Sequence, residues 1–477
     1  MDKLTKIIAT IGPSSDSEEA IEQLITMGAN IFRFNFKHSD LVWHRERILR
    51  VKRVSEKLNS NTATLLDLQG PEIRLTMPFD SIQLKEDEKI LLSDEIFQTK
   101  EKGFSFTDSK IIDALKDGQE VTADNGLFRF TVKIENGKTY LLSKSEGFLL
   151  KNKSISIVNL DYDFPTINEK DRNGMVLAKE TGIDFIALSF VRDANDLRIL
   201  KGEMQKINLN AKVVAKIETS KAIKNIDEIL DNTDAVMVAR GDLGVELPLE
   251  QVPYYQKEII KKCLSKGVPV ITATQMLESM IQNNIPTRAE VSDVANAVYD
   301  FSDAVMLSGE TANGKYPKEA VKVMSRITTF SESKTHVHDI RNLIDYELSD
   351  NSQMICDSAF NLYKALKSKS KLVKGFIVFT QTGKTSRMLS RYRPHVPIFA
   401  FCPDKDLVRK LSLGYGVEPI FQESLAEKNE IVKDDIKIAL DTLKTKGKCF
   451  ANDIFIVLHG DYWTSESGTS TIRIVTA

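Results

Sequence analysis

Cysteine is scarce in this chain, with four in 477 residues. Cys263, Cys356, Cys402 and Cys449 lie far apart and form no CxxC pair. That argues against a zinc site or a disulfide framework and fits a reducing cytoplasm. Neither sign of charge is in excess, because 65 Lys and Arg stand against 67 Asp and Glu, a net charge of −2. A dedicated nucleic-acid binder carries a basic surplus, so no nucleic-acid partner is expected. No run approaches the roughly 20 consecutive apolar residues of a transmembrane helix, so no membrane partner is expected either. Residues Met1 to Lys6 lead straight into an apolar strand without the charged, apolar and small-residue regions of a signal peptide. GxSxG and GxxxxGK[ST] are also missing, and no histidines pair at metal spacing. Any nucleotide must then be held by some other device.

What the chain has is a rhythm of short, β-branched apolar runs. Lys6–Ile11, Asn30–Asn35, Ala63–Asp67 and Asp184–Ser189 are the first four. Lys212–Lys216, Ala235–Ala239, Val268–Thr272 and Ala304–Ser308 follow. Near-continuous apolar character is expected of strands buried on both faces. Helical patterns lie between them, opened by Ser17-Glu18-Glu19, Thr219-Ser220 and Pro248-Leu249-Glu250. Eight strand–helix units predict an α/β fold built on a closed (β/α)8 barrel, with a doubly wound open sheet as the alternative. The third and fourth runs are separated by about 120 residues, too many for a loop. Alternating runs such as Glu120–Asp124 and Leu127–Lys133, with turns at Asp117-Gly118, Asn125-Gly126 and Asn136-Gly137, predict a small inserted β-domain. A polar stretch, Glu332–His338, precedes a third, α/β domain with strands near 375–380, 397–401, 453–458 and 471–475. The expected division is a barrel over 1–75 and 164–335, an insertion over 76–163, and a C-terminal domain over 336–477.

Barrels of this kind place their chemistry at the C-terminal ends of the strands. Here those ends carry Arg33 and Asn35, Asp67, Lys216 and Glu218, Arg240 and Asp242, Thr274, and Ser308 and Glu310. Residues two apart share a strand face, so the paired positions are expected to aim alike. Several cations beside two or more carboxylates suit Mg2+ and a phosphorylated anion. A ring of ion pairs at the rim is the plain structural alternative.

The motifs Thr10–Pro13, Arg33–Phe36, Asp67–Arg74, Ala215–Glu218, Ala239–Glu246, Ala273–Ser279, Pro286–Glu290 and Met306–Thr311 together resemble pyruvate kinase, in order and spacing across essentially the whole chain. The resemblance implies a barrel with an inserted β-barrel lid and a regulatory C-terminal α/β domain. It also implies transfer of a phosphoryl group from phosphoenolpyruvate to ADP, giving pyruvate and ATP, in a cytoplasmic homotetramer. By the same resemblance, Glu218 and Asp242 hold Mg2+ or Mn2+, and Lys216 stabilises the transferring group. Arg33 holds the substrate phosphate, Gly241 and Asp242 offer N–H groups to its carboxylate, and Thr274 directs protonation through water. Asn35, His38 and Arg74 line the nucleotide side, where a second Mg2+ arrives with ADP.

Three departures from that family pattern stand out. Lys37 occupies a position where relatives carry a serine. With Asn35, Asp67 and the Leu68 carbonyl, that serine would complete a K+ site. The Lys37 ammonium is expected to replace that K+; the alternatives are that Lys37 points to solvent or that K+ binds the three ligands that remain, and Glu72, which accompanies K+ dependence in relatives, weighs against the replacement. The lid's return segment, Ser156–Asp161, lacks the usual Lys-Gly-Val-Asn-Leu-Pro stretch, leaving Lys151 and Lys153 as candidates for a nucleotide-contacting lysine. The lid turn Asp124-Asn125-Gly126 lacks a second aspartate. In the third domain, Thr380-Gln381-Thr382-Gly383-Lys384-Thr385 offers hydroxyls and a glycine at a helix start, which by the resemblance implies a cradle for a sugar-phosphate or nucleotide effector; a turn that only caps the helix is the alternative. Asp461 and Glu466 near the facing loop, Trp463–Thr469, favour a monophosphate. A barrel lyase and a degenerate effector sensor are the competing functional readings.

Overall fold

Each of the eight apolar runs forms a strand, and in the computed structural model the eight close into one parallel barrel. The strands are Lys6–Thr10, Ile31–Asn35, Ala63–Asp67, Phe185–Leu188, Lys212–Ile217, Ala235–Ala239, Val270–Ala273 and Ala304–Leu307. The open-sheet alternative is thereby excluded. The structure describes residues 3–477 apart from 125, 158, 159, 161–163, 336–339, 341, 342, 345, 370, 371, 427–430, 432 and 461–467. Asn125, three positions of the 156–161 segment, residues 336–338, and most of the Trp463–Thr469 loop with Asp461 and Glu466 lie outside the described residues.

Period-two alternation sorts each barrel strand into two faces. One set packs inside the barrel: Ile8, Ile31, Ala63, Leu65, Phe185, Ala187, Val214, Ala235, Met237, Ile271, Ala304 and Met306. The other set, including Ile7, Phe32, Phe34, Leu66, Ile186, Val213 and Val236, packs under the surrounding helices. Continuing the inward columns brings Thr10, Arg33 and Asn35, Asp67, Ser189, and Lys216 and Glu218 to the mouth. The sequence alternation therefore selects which polar side chains meet.

The opposite end of the barrel carries a repeated device. Asn30, Asp184, Asp234 and Asp303 immediately precede the second, fourth, sixth and eighth strands. Each accepts a backbone N–H near the start of the neighbouring odd-numbered strand: Ile7 at 3.0 Å, Thr64 at 2.8 Å, Val213 at 2.9 Å and Val270 at 3.0 Å. Each also meets a cation: Lys3, Arg409, Lys212 and Arg393 respectively. Arg393 and Arg409 come from the third domain, whose Leu413 joins the barrel's interior cluster and plugs its floor. Burying such a leucine contributes roughly 1.5–3 kcal/mol.

The insertion is itself a closed barrel of seven strands with its own core around Phe104, Phe130 and Leu141. A separate ribbon pairs Ser81–Leu84 with Gly147–Leu150. Asn136 and Gly137, both at positive φ, make the two-residue turn between Phe128–Glu135 and Lys138–Ser143. The first strand of this barrel is Ile73–Thr76, so the chain enters it a few residues ahead of position 76. The C-terminal domain is a five-stranded sheet with Val373–Phe379 at its centre and Thr471–Thr476 antiparallel at one edge. One of its strands, Val417–Phe421, lies outside the four ranges expected from sequence. Glu418 and Pro419 interrupt its apolar run.

Candidate active site

At the mouth of the large barrel, charged side chains from three strand ends form a continuous chain. Arg33 binds Asp67 through Nε at 2.8 Å and Nη2 at 2.7 Å, and donates from Nη1 to Thr10 Oγ1 at 3.1 Å. Asp67 Oδ1 lies 3.3 Å from Lys216 Nζ, which in turn lies 2.7 Å from Glu218 Oε1. All four charged groups are buried. Burial opposes the charge on Lys216, yet Asp67, Glu218 and Asp242 outweigh it and hold the ammonium above its ordinary value. Burial alone would raise Asp67, but Lys216 and Arg33 hold it below the usual carboxylate range. Glu218 is pushed up to about 7, by burial first and then by Asp242, against the pull of Lys216. Its Oε2 accepts the Phe190 N–H at 2.6 Å. Its Oε1 is buried and has no aligned hydrogen bond, although the Lys216 ammonium is close.

Two strand ends that the charge pattern passed over complete this arrangement. The first supplies Thr10. The fourth supplies Ser189, whose hydroxyl accepts from Lys216 at 2.7 Å and donates to the Leu68 carbonyl at 2.9 Å. A serine closing an inward column was the available signal. Gly70 lets the following loop cross this point, since at φ +70° a Cβ there would stand 2.9 Å from the Ser189 Cβ. Phe190, next in the chain, is held at φ +56°. That strained conformation turns its N–H onto Glu218 and brings its ring to 5.5 Å from Lys37 Nζ.

The sixth and seventh strand ends behave differently from expectation. Arg240 and Asp242 are not on a strand, because Arg240–Glu246 is a short helix and the two side chains diverge. Arg240 turns to Asp293 at 2.6 Å and to the carbonyls of Ala273 and Thr274. Asp242 alone lines the mouth. Thr274 takes φ +68°, costly for a β-branched residue, and its hydroxyl accepts the Gly241 N–H at 2.8 Å and donates to the Ala273 carbonyl at 2.6 Å. Glu310 does not face the mouth. It is buried and accepts the N–H groups of Leu277 at 3.0 Å and Ser308 at 2.7 Å, fixing the loop after the seventh strand.

Between the barrel mouth and the inserted barrel lies a cleft of about 740 Å³. Lys37, His38, Arg74, Lys153 and Asp242 line it. Asn35 is half-buried, its Oδ1 accepting the Lys37 N–H at 3.2 Å. Lys37 Nζ lies 3.6 Å from Glu72, which also binds Arg74 at 2.8 Å. His38 is kept below its ordinary value by desolvation and then by Lys37, Arg74, Lys170 and Arg33. Of the two lid lysines, Lys153 reaches this cleft and pairs with Asp124 at 2.9 Å, whereas Lys151 pairs outward with Asp80. In the third domain the hydroxyl cradle is largely self-satisfied. Thr380 accepts the Gly383 N–H at 2.9 Å, Thr382 accepts the Lys384 N–H at 3.4 Å, and Thr385 bonds Thr469 at 2.6 Å. Lys384 pairs with Asp350 at 2.7 Å.

A parallel barrel carrying an inserted smaller barrel, with a buried cation–carboxylate chain at the C-terminal ends of its strands, defines a barrel enzyme built for an anionic substrate. Family models described as "Pyruvate kinase, barrel domain" and "Pyruvate kinase, alpha/beta domain" match residues 2–321 and 353–475. Curated pyruvate kinases of Staphylococcus saprophyticus and Staphylococcus aureus strain MRSA252 are each 38% identical, over 98% of this chain and 79% of the relative. A crystal structure of a pyruvate kinase from Cryptosporidium parvum superposes with a TM-score of 0.91 at 32% identity, covering 99% of this chain and 96% of that one. The chain belongs to the pyruvate kinase family, and it is a pyruvate kinase enzyme of glycolysis. The lyase and sensor readings fall with that finding.

Proposed function

We propose that this pyruvate kinase works with Mg2+ or Mn2+ held by Glu218 and Asp242. The observation that carries the reading is the nearness of two carboxylates: Glu218 is buried, anchored at one oxygen by Phe190 and 2.7 Å from the Lys216 ammonium at the other, and Asp242 is close enough for like charge to help push its carboxyl up. Asp242 on the open cleft and Glu218 buried at the barrel mouth suit Mg2+, which binds one or two carboxylates plus substrate oxygens and water. Among the described residues no group of three or more His, Cys, Asp or Glu side chains forms a richer metal site. When bound, the cation supplies positive charge against the oxygens of the transferring group.

The chain's own residues carry the remaining roles. Arg33, braced by Asp67 and Thr10, holds the phosphate of phosphoenolpyruvate. The bond between phosphorus and the enol oxygen breaks as a terminal ADP oxygen bonds to phosphorus. Lys216, kept charged by its three carboxylate neighbours, offsets charge on both the phosphoryl group and the departing enolate. The N–H groups of Gly241 and Asp242 take the substrate carboxylate, the first released from Thr274. The Thr274 hydroxyl passes a proton through water to the enolate carbon, giving pyruvate. Asn35, His38 and Arg74 face the nucleotide and its second Mg2+, with Lys153 as the lid's contribution. Lid closure excludes water and limits hydrolysis.

In this reading the barrel (1–75 and 164–335) is catalytic, residues 76–163 form the lid, and residues 336–477 are regulatory, with the Thr380–Thr385 loop as the effector cradle of a cytoplasmic homotetramer. The Lys37 ammonium supplies the monovalent charge beside Glu72, and K+ is dispensable. A coupled assay with phosphoenolpyruvate and ADP tests both cations. Activity should vanish with chelator, return with Mg2+ or Mn2+, and persist within about twofold when tetramethylammonium replaces K+. Activity that survives metal removal would overturn the first point, and a strong requirement for K+ the second.

A further inference from the structure

Where the barrel floor meets the C-terminal domain, a second and smaller cleft of about 50 Å³ opens. On the same measure one water needs roughly 10–15 Å³. The space therefore takes a few waters or one tetrahedral oxyanion, not a nucleotide.

Its charge is unbalanced. Lys212 is matched by Asp234 at 2.9 Å, and Arg393 by Asp303 at 2.6 Å. Three further lining cations, Arg387, Arg391 and Lys410, have no carboxylate within ion-pair distance among the described residues. Arg391 is only 2% exposed. Its guanidinium stacks at 4.5 Å on Tyr346 and 5.1 Å on Tyr392, donates to the Tyr392 hydroxyl at 3.1 Å, and leaves a buried Nε–H unbonded. Arg387 stands four residues earlier and also has a buried, unbonded Nε–H. Desolvation weakens its hold on its proton, and Asp234 is the carboxylate that counters this. A buried charge without a partner is costly, and two orphaned guanidinium donors at one cleft mark a missing acceptor. Guanidinium forks match the geometry of phosphate oxygens.

We infer that this interdomain cleft binds a phosphate-class oxyanion, free or as the phosphate group of a metabolite, on Arg387 and Arg391. Lys410 adds charge from the neighbouring helix Lys405–Lys410. Thr382 and Gly383 of the Thr380–Thr385 loop reach the rim of this cleft, but the unbonded Arg387 and Arg391 donors lie further along the chain, and the proposal stands whether or not the loop binds an effector. Its ligand would bridge the two domains, because Lys212 and Asp234 on the barrel and Arg387 and Arg391 on the C-terminal domain line the same space.

The test compares the full chain with R387Q and with K384A, the latter altering only the hydroxyl loop. Inorganic phosphate, a sugar monophosphate and AMP are each titrated in phosphate-free buffer by calorimetry and thermal shift. For R387Q the expected result is at least a tenfold weaker phosphate affinity, about 1.4 kcal/mol, with kcat and the circular dichroism spectrum unchanged and K384A binding as the unaltered chain does. Equal affinity for all three ligands identifies free phosphate, and tighter monoester binding identifies a metabolite's phosphate group. A crystal of the unaltered chain soaked in arsenate supplies a readout that does not depend on a variant folding, with an anomalous peak expected between Arg387 and Arg391. Unchanged phosphate affinity in R387Q, or a soaked crystal with no peak in this cleft, overturns the proposal.

Discussion

Lys216 sits among three carboxylates that keep it charged, so under the proposed mechanism its contribution to turnover is electrostatic and hard to replace. Lys216→Met should lower kcat by about 10²–10³-fold, the cost of losing one preorganised charge-stabilising group. The circular dichroism spectrum should stay unchanged, and near-normal turnover would remove the role. Thr274 offers a sharper contrast. Thr274→Ser keeps the hydroxyl and should retain most activity, whereas Thr274→Ala should lose about 10²-fold in kcat with little change in KM for phosphoenolpyruvate. Steady-state kinetics on the two variants checks this. At this scale the charged members of the site were legible in the sequence, because an arginine or lysine that closes an apolar strand is costly to bury unless a counter-charge or an anionic ligand meets it. Ser189 and Phe190 were not. A serine is common at strand ends of every kind, and the contribution of Phe190 is a backbone N–H set by a positive φ, which no residue letter announces.

Elements tie these groups to the point where the chain returns from the inserted barrel. Asp196, near the start of the helix Ala194–Lys206, binds Arg192 at 2.7 Å and accepts the Thr166 hydroxyl at 2.7 Å, where the chain returns from the insertion. Burial pushes its carboxyl up, but hydrogen bonds from Arg192 and Thr166 outweigh this and hold it below its ordinary value. A depressed carboxyl stabilises the fold above its unfolded value, near 3.8, and the stabilisation disappears as pH falls through the lower folded value. Asp196→Asn should therefore cost about 2 kcal/mol at pH 7. Its deficit against the unaltered chain in urea melts should begin to narrow below about pH 4 and close only once pH has passed the lower folded value. Element type was the most legible level of the fold, since the eight runs and the hairpin turn at Asn136-Gly137 carry their periodicity openly. It failed at Arg240 and Asp242, where a strand-face argument was extended past Ala239 into a helix. No spacing rule marks that crossover.

Across the whole molecule, the C-terminal domain is clamped to the barrel by ion pairs that also serve the barrel strands. Arg393 binds Asp303 while donating to the Phe301 carbonyl at 2.7 Å, and both charged residues are buried. Breaking such a pair leaves a charge stranded, so Arg393→Ala should lower stability by about 3–5 kcal/mol, read from the urea midpoint. This docking was illegible beforehand, because it joins residues 90 positions apart in two domains and neither motif is distinctive alone.

The four Asx side chains that begin the even-numbered strands carry a kinetic corollary. Amide protons of Ile7, Thr64, Val213 and Val270 are each gripped by a side chain instead of a neighbouring strand, beneath a floor sealed by another domain. Their exchange with deuterated solvent should track detachment of that domain, while amides at the mouth exchange independently of it.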